Sequence, residues 1–201
     1  MLHAEPLNPI TDDQITAYDR DGAVLLSKIF DLEWIEVLRD AVERDKAQPG
    51  PMVRYNTPSE SNGEFFVDFQ LWQRWDGAKR FALEGPGAAV AARMMKAKTV
   101  VYFHDHLLVK EPNTEEKTPW HHDQPYYPIE GWQVGSIWLP LDPVPKDICV
   151  EFIAGSHKWG RWFAPKFFKS GNPGLESQDP RFELVPDFES QREDLDLLST
   201  R

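Results

Sequence analysis

Thr99-Val100-Val101-Tyr102-Phe103-His104-Asp105-His106-Leu107-Leu108-Val109-Lys110 is the stretch on which the fold turns. β-Branched and aromatic residues fill it, and neither Gly nor Pro breaks it, so it reads as a long strand. Val134 to Leu141 and Val150 to Ile153 read as two more, with Pro and Gly punctuating the connections. Upstream the periodicity is helical. Thr11 followed by Gln14 is a capping-box pattern that opens a short helix to about Tyr18. Gly22 to Leu26 reads as a short buried strand. Asp31 is a good N-cap, and Trp34, Leu38, Ala41 and Val42 recur at helical spacing to about Lys46. A further helical stretch covers about Gly87 to Lys96. Between these lie a long loop at 48–64, rich in Pro49, Gly50, Pro51, Pro58, Asn62 and Gly63, and an aromatic segment, Phe65 to Trp72. Long loops of this kind are often functional or mobile. Helices precede strands, which is the α+β order. One domain is expected over 1–201, mainly helical over 1–97 and β-rich over 98–201, with a jelly-roll-like barrel as the second part.

Composition excludes several functions. The chain has 201 residues, with 22 Lys+Arg against 33 Asp+Glu and a formal charge of −11. Nucleic-acid backbones and anionic membranes both select clustered positive charge, so neither is an expected partner. The longest apolar runs are a few residues, against roughly 20 for a membrane span. The N-terminus, Met1-Leu2-His3-Ala4-Glu5-Pro6, lacks the basic and apolar regions of a secretory signal. A single cysteine, Cys149, excludes an internal disulfide and a multi-cysteine zinc site. It points to a reducing, cytoplasmic location. The aromatic content, 12%, argues for aromatic-lined faces rather than disorder.

The chemistry-bearing segment is Pro119-Trp120-His121-His122-Asp123-Gln124-Pro125-Tyr126-Tyr127-Pro128. On an extended strand His121 and Asp123 share a face, so an imidazole nitrogen and a carboxylate oxygen converge. That is two thirds of a 2-His-1-carboxylate site, which leaves positions open on a ferrous ion. His122 would point the other way. A His-x-Asp triplet alone is also a common surface hydrogen-bond pair, and the flanking aromatic residues argue against that here. On the preceding strand, Tyr102, His104, His106, Leu108 and Lys110 share one face by the period of two. His106, and less strongly His104, could donate to an anionic ligand there. Lys110 reads as a solvated strand end.

With these segments, the sequence resembles the phytanoyl-CoA dioxygenase family from about residue 11 onward. The resemblance rests on Leu107-Leu108-Val109-Lys110-Glu111-Pro112, the triplet, Ser136-Ile137-Trp138-Leu139-Pro140-Leu141-Asp142, and Val150 to Gly160 with Gly155-Ser156-His157-Lys158. It implies a double-stranded β-helix (jelly-roll, cupin-like) core. It also implies an iron(II)- and 2-oxoglutarate-dependent dioxygenase that hydroxylates an unactivated C–H bond of a small-molecule substrate. His121 and Asp123 match iron ligands, while His106 and Trp138 match positions that contact 2-oxoglutarate. His157 matches a structural turn.

The chain departs from the family at several points. His122 stands where the family usually has Gln. Asp147-Ile148 replaces a usual Asn-Gly, so strain is expected at Ile148 if a positive φ is needed. The family takes its third ligand, a His, and a carboxylate-pairing Arg from a late strand, and no histidine follows His157 here. The sequence thus resembles a C-terminally truncated member lacking its last strands. The alternatives are a non-catalytic member with an incomplete metal site, or a cupin-like metal-binding protein. Arg54, in the long loop, is a candidate substrate contact or a solvated side chain.

Overall fold

The computed structural model describes residues 2–56, 63–114, 117–165 and 180–199. Pro58 and Asn62 of the expected loop, and Thr200 and Arg201, lie outside the described residues.

Four helices come from the first half. Helix α1, Asp12–Asp21, starts at the capping box: the Gln14 amide donates to Thr11 Oγ1 at 3.2 Å, and the Thr11 amide donates to Gln14 Oε1 at 2.9 Å. Helix α2, Leu32–Ala47, is capped by Asp31, which accepts from the Glu33 amide. Its inward stripe is Trp34, Ala41 and Asp45. Helix α3, Asp76–Glu84, was not expected from the sequence, and helix α4, Gly87–Met94, was. The α3 residue Phe81 packs edge-on against Trp34, and Ile15 of α1 joins Val90 and Met94 of α4 in one apolar cluster.

The strands are short. β1 (Arg54–Tyr55), β2 (Phe65–Phe69) and β3 (His106–Lys110) form an antiparallel sheet in that order. β4 (Glu151–Ile153) pairs antiparallel with β7 (Leu197–Ser199), and β5 (Trp162–Phe163) pairs parallel with β6 (Phe182–Glu183). Ile153, Phe163 and Phe188 make the core of this second part, with Trp120 and Leu197 against it. The architecture is therefore mixed helix and sheet.

Several sequence expectations need correction. Gly22 to Leu26 and Val134 to Leu141 form no strand, and only His106–Lys110 of the long 99–110 run is laddered. Strand propensity describes a residue's fit to a pleated surface, and a ladder also needs a partner edge. Before His106, Asp105 anchors the segment: its carbonyl accepts from the Gln70 amide at 3.1 Å, and its carboxylate takes further bonds. Asp105 accepts from the amides of Leu71 and Trp72, and from the Tyr102 hydroxyl. Ile148 sits in a 3-10 turn, Lys146–Ile148, and is not among the residues with positive φ, so the expected strain is absent there.

The Gly155-Ser156-His157-Lys158 turn joins the two halves. The Gly155 amide donates to Asp21 O at 2.8 Å, His157 Nε2 to Asp19 O at 3.3 Å, and Lys158 Nζ to Arg20 O at 3.2 Å. These are the last carbonyls of α1, which have no partner inside the helix, and cationic groups suit that end of the helix dipole. Gly22 makes the approach possible. Its φ is +85°, and a Cβ there would lie 2.3 Å from His157 Nδ1. His157 thus has a structural partner.

A buried charge network lies under β2. Asp45 and Asp68 are both fully buried and converge on Arg74. Asp45 also accepts from Trp75 Nε1 at 2.8 Å, and Asp68 accepts from the Gly50 amide at 2.6 Å. Burial, then the charge of Asp68, raises the Asp45 pKa, and the Trp75 bond opposes the rise.

Candidate active site

His121 and Asp123 do converge, but by a different route from the one expected. Asp123 has φ −70° and ψ −39°, and it heads a 3-10 turn over Gln124–Tyr126 that contains Pro125. The turn, rather than a pleat, brings His121 Nε2 within 3.3 Å of Asp123 Oδ1. Two ligand bonds of about 2.1 Å at a right angle would place their donor atoms about 3 Å apart. The pair therefore fits two adjacent positions on a metal ion.

Both side chains are held from behind. His121 Nδ1 lies 2.7 Å from the Pro119 carbonyl, which can only accept, so Nδ1 carries the proton and Nε2 faces Asp123. The Ser136 hydroxyl donates to Asp123 Oδ2 at 2.8 Å. Such outer contacts fix ligand orientation in metal sites. Neither partner was assigned a role from sequence, because a backbone carbonyl and a serine 13 residues away leave no spacing signal.

The electrostatics follow from this pairing. Burial opposes charge on His121, but Asp123 and the Pro119 carbonyl outweigh it and raise the imidazole pKa. His121 holds Asp123 below the usual carboxylate range, against burial and with help from Ser136. Among the described residues, no third His, Cys, Asp or Glu joins the pair in a group that could hold a metal ion.

His122 points away from the pair, as the sequence indicated. Its Nε2 accepts the Phe163 amide at 3.0 Å, and its ring packs against Trp162 and Phe163. An acceptor nitrogen is unprotonated, so the ring is neutral. Burial, its largest influence, lowers its pKa in the same direction.

His106 and His104 both feel the charge of Asp123. His106 stacks on Phe69 with ring centroids 4.2 Å apart and planes 13° apart, and His104 stacks on the same ring at 6.2 Å. Loss of hydration and the neighbouring His104 push the His106 pKa down to about 4, against the pull of Asp123. His106 is thus a neutral hydrogen-bonding group at physiological pH. Tyr127 packs edge-on against His104, and His104 Nδ1 is buried without a hydrogen-bond partner among the described residues. An unsatisfied buried polar atom at a site is a place for a polar ligand atom or water.

Trp138 is less well integrated. It lies outside any strand and is 40% exposed, with no hydrogen bond or ring contact to the pair among the described residues. Lys110 caps the Phe65 ring with its ammonium at 4.8 Å and reaches Thr118, so it is more than a solvated strand end.

Searches of curated proteins and of solved structures both give no match. The model of the phytanoyl-CoA dioxygenase (PhyH) family matches residues 18–186, which include both halves of the fold and the whole site. The chain belongs to the phytanoyl-CoA dioxygenase family.

Proposed function

We propose that the protein is an iron(II)- and 2-oxoglutarate-dependent dioxygenase that hydroxylates a small molecule. The observation that carries this reading is the 3.3 Å convergence of His121 Nε2 on Asp123 Oδ1, each braced on its far atom. In this reading His121 and Asp123 hold the metal, and His106 and Trp138 border 2-oxoglutarate. Bound iron(II) would supply the redox chemistry by which dioxygen oxidises 2-oxoglutarate and the substrate.

The chain's own residues do the rest. The Pro119 carbonyl keeps the proton on Nδ1, so that Nε2 presents its lone pair. Ser136 orients the Asp123 carboxylate. His106, neutral and stacked on Phe69, offers a hydrogen bond without adding charge. The aromatic wall of Phe69, Phe103 and Tyr127 limits water around His104.

The β-rich half is read as the family's double-stranded β-helix framework, and 1–201 as one oxygenase domain. The β2–β3 ladder and the bonds of the 155–158 turn to α1 support the second point, since both cross the 97/98 boundary. The single cysteine supports a reducing, cytoplasmic setting. No helix among the described residues is long and apolar enough to cross a membrane.

A second reading is a member that binds ligands without turnover, because the described residues supply two metal donors and not three. Succinate formation from 2-oxoglutarate separates the two. Iron(II)-dependent succinate that disappears in His121→Ala and Asp123→Ala supports the oxygenase. Succinate formation that is absent from the wild-type chain, or unchanged in both variants, contradicts it.

A further inference from the structure

Arg54 differs from every other described arginine. From Arg20 to Arg192, each of the others lies within 4.0 Å of an Asp or Glu oxygen. Arg54 has no carboxylate partner and no side-chain hydrogen bond among the described residues. In a chain with 33 acidic residues against 22 basic ones, that is the exception.

Its position is ordered all the same. The register sets Arg54 opposite Val67 on β2, and Phe69 opposite His106 on β3. Paired residues and their i+2 neighbours share a face, so Arg54, Phe69 and His106 stand on one side of the sheet. The guanidinium carbon lies 5.8 Å from the Phe69 ring centroid, and His106 stacks on that ring at 4.2 Å. A cation is thus anchored on a ring face while its five N–H donors lack an acceptor among the described residues. On this face β3 leaves His106 and Leu108 exposed, so the face is open to a ligand. The segment that carries His121 and Asp123 reaches the same ring: Tyr127 packs edge-on against His104, which stacks on Phe69.

A planar guanidinium with free donors beside a neutral imidazole matches a carboxylate, which accepts from both and supplies the missing negative charge. We propose that Arg54 is the carboxylate-binding residue of this face, pairing a carboxylate of a small ligand that lies along Phe69 and His106. The inference rests on the reading of the adjacent His121–Asp123 pair as the reactive end. The carboxylate could be the one of 2-oxoglutarate remote from its keto group, or one on the substrate. The chemistry is the same, and the experiment separates the two sources.

Calorimetric binding to the full chain would use three probes: 2-oxoglutarate, its monocarboxylate analogue 2-oxopentanoate, and hexanoate with 2-oxoglutarate saturating. If Arg54 serves 2-oxoglutarate, the wild type prefers it to 2-oxopentanoate by about tenfold, and Arg54→Met erases the preference. If Arg54 serves the substrate, the two oxo acids bind alike, and hexanoate weakens about tenfold in Arg54→Met. Arg54→Lys, which keeps the charge and loses the fork, should fall between. Arg54 is exposed, so the variants should fold, and a thermal melt checks this. Affinities for all three probes within twofold between wild type and Arg54→Met overturn the proposal, as does no binding of any probe to the wild type. Manganese(II) binding in the same samples reads the His121–Asp123 pair alone. Its failure with Arg54-dependent carboxylate binding intact would remove the oxygenase reading and leave the carboxylate site standing.

Discussion

The half before residue 98 and the half after it solve the problem of burial differently. In the first, Trp34, Phe65 and Phe66 are almost wholly buried, and even the charges of Asp45 and Asp68 are sealed beneath β2. In the second, the core is the small group around Ile153, Phe163 and Phe188, while Val101, Trp132, Ile148 and Leu184 stay largely exposed. The pair His121 and Asp123 belongs to the open half, yet the nearby Tyr127 packs on His104, which stacks on Phe69 of a sheet whose central strand is in the closed half. The first half acts as a well-packed support, and the second carries the reactive groups. Precision at a site requires such a support behind it.

The sharpest way to break that contrast is to remove the cation from the closed half. Arg74→Met leaves Asp45 and Asp68 buried without their guanidinium, and the loss should be about 3–5 kcal/mol in chemical denaturation. The same network has a pH signature. The folded-state pKa of Asp45 is raised, so the folded protein holds that proton more tightly than the unfolded chain. The stability it contributes is full below the unfolded carboxylate pKa and is lost as pH rises through the folded one. Asp45→Asn should flatten this fall. A wild-type profile that rises through that window, with no change in the variant, would contradict the assignment.

His122→Leu tests the link between the reactive segment and β5. It strips the Phe163 amide of its acceptor and should cost about 1–3 kcal/mol. His122→Gln, which can still accept, should recover most of it. Equal stabilities for the two variants would show that the bond does not hold the segment. The smallest effect belongs to the 155–158 turn that joins the halves. His157→Ala removes one of three donors to the end of α1 and should lower stability by about 1 kcal/mol, measured by thermal unfolding.

Much of the closed half was legible in the sequence because its signals are local. The Thr11–Gln14 box and the Asp31 cap each specify a helix start within a few residues. The burial of Asp45 was not legible, since its partner Arg74 lies 29 residues away in sequence. In the open half the convergence of His121 and Asp123 was anticipated, but from the wrong backbone, because Pro125 makes a turn where a strand was expected. The 134–141 run shows the limit most clearly. Its composition favours a strand, and pairing depends on an edge that composition does not reveal. The isolation of Arg54 among the described arginines could not be read at all without the structure, since it is defined by where the acids are not.

Manganese(II) binding tests the central claim most directly, because the claim is that one imidazole and one carboxylate form the metal end of the site. The account expects a single site per chain in the wild type, weakened at least about tenfold in His121→Ala and in Asp123→Ala, with His106→Ala retaining it. Because a protonated His121 cannot bind metal, affinity should also fall as pH drops through its raised pKa. Equal manganese(II) affinity in the wild type and both variants would contradict the account.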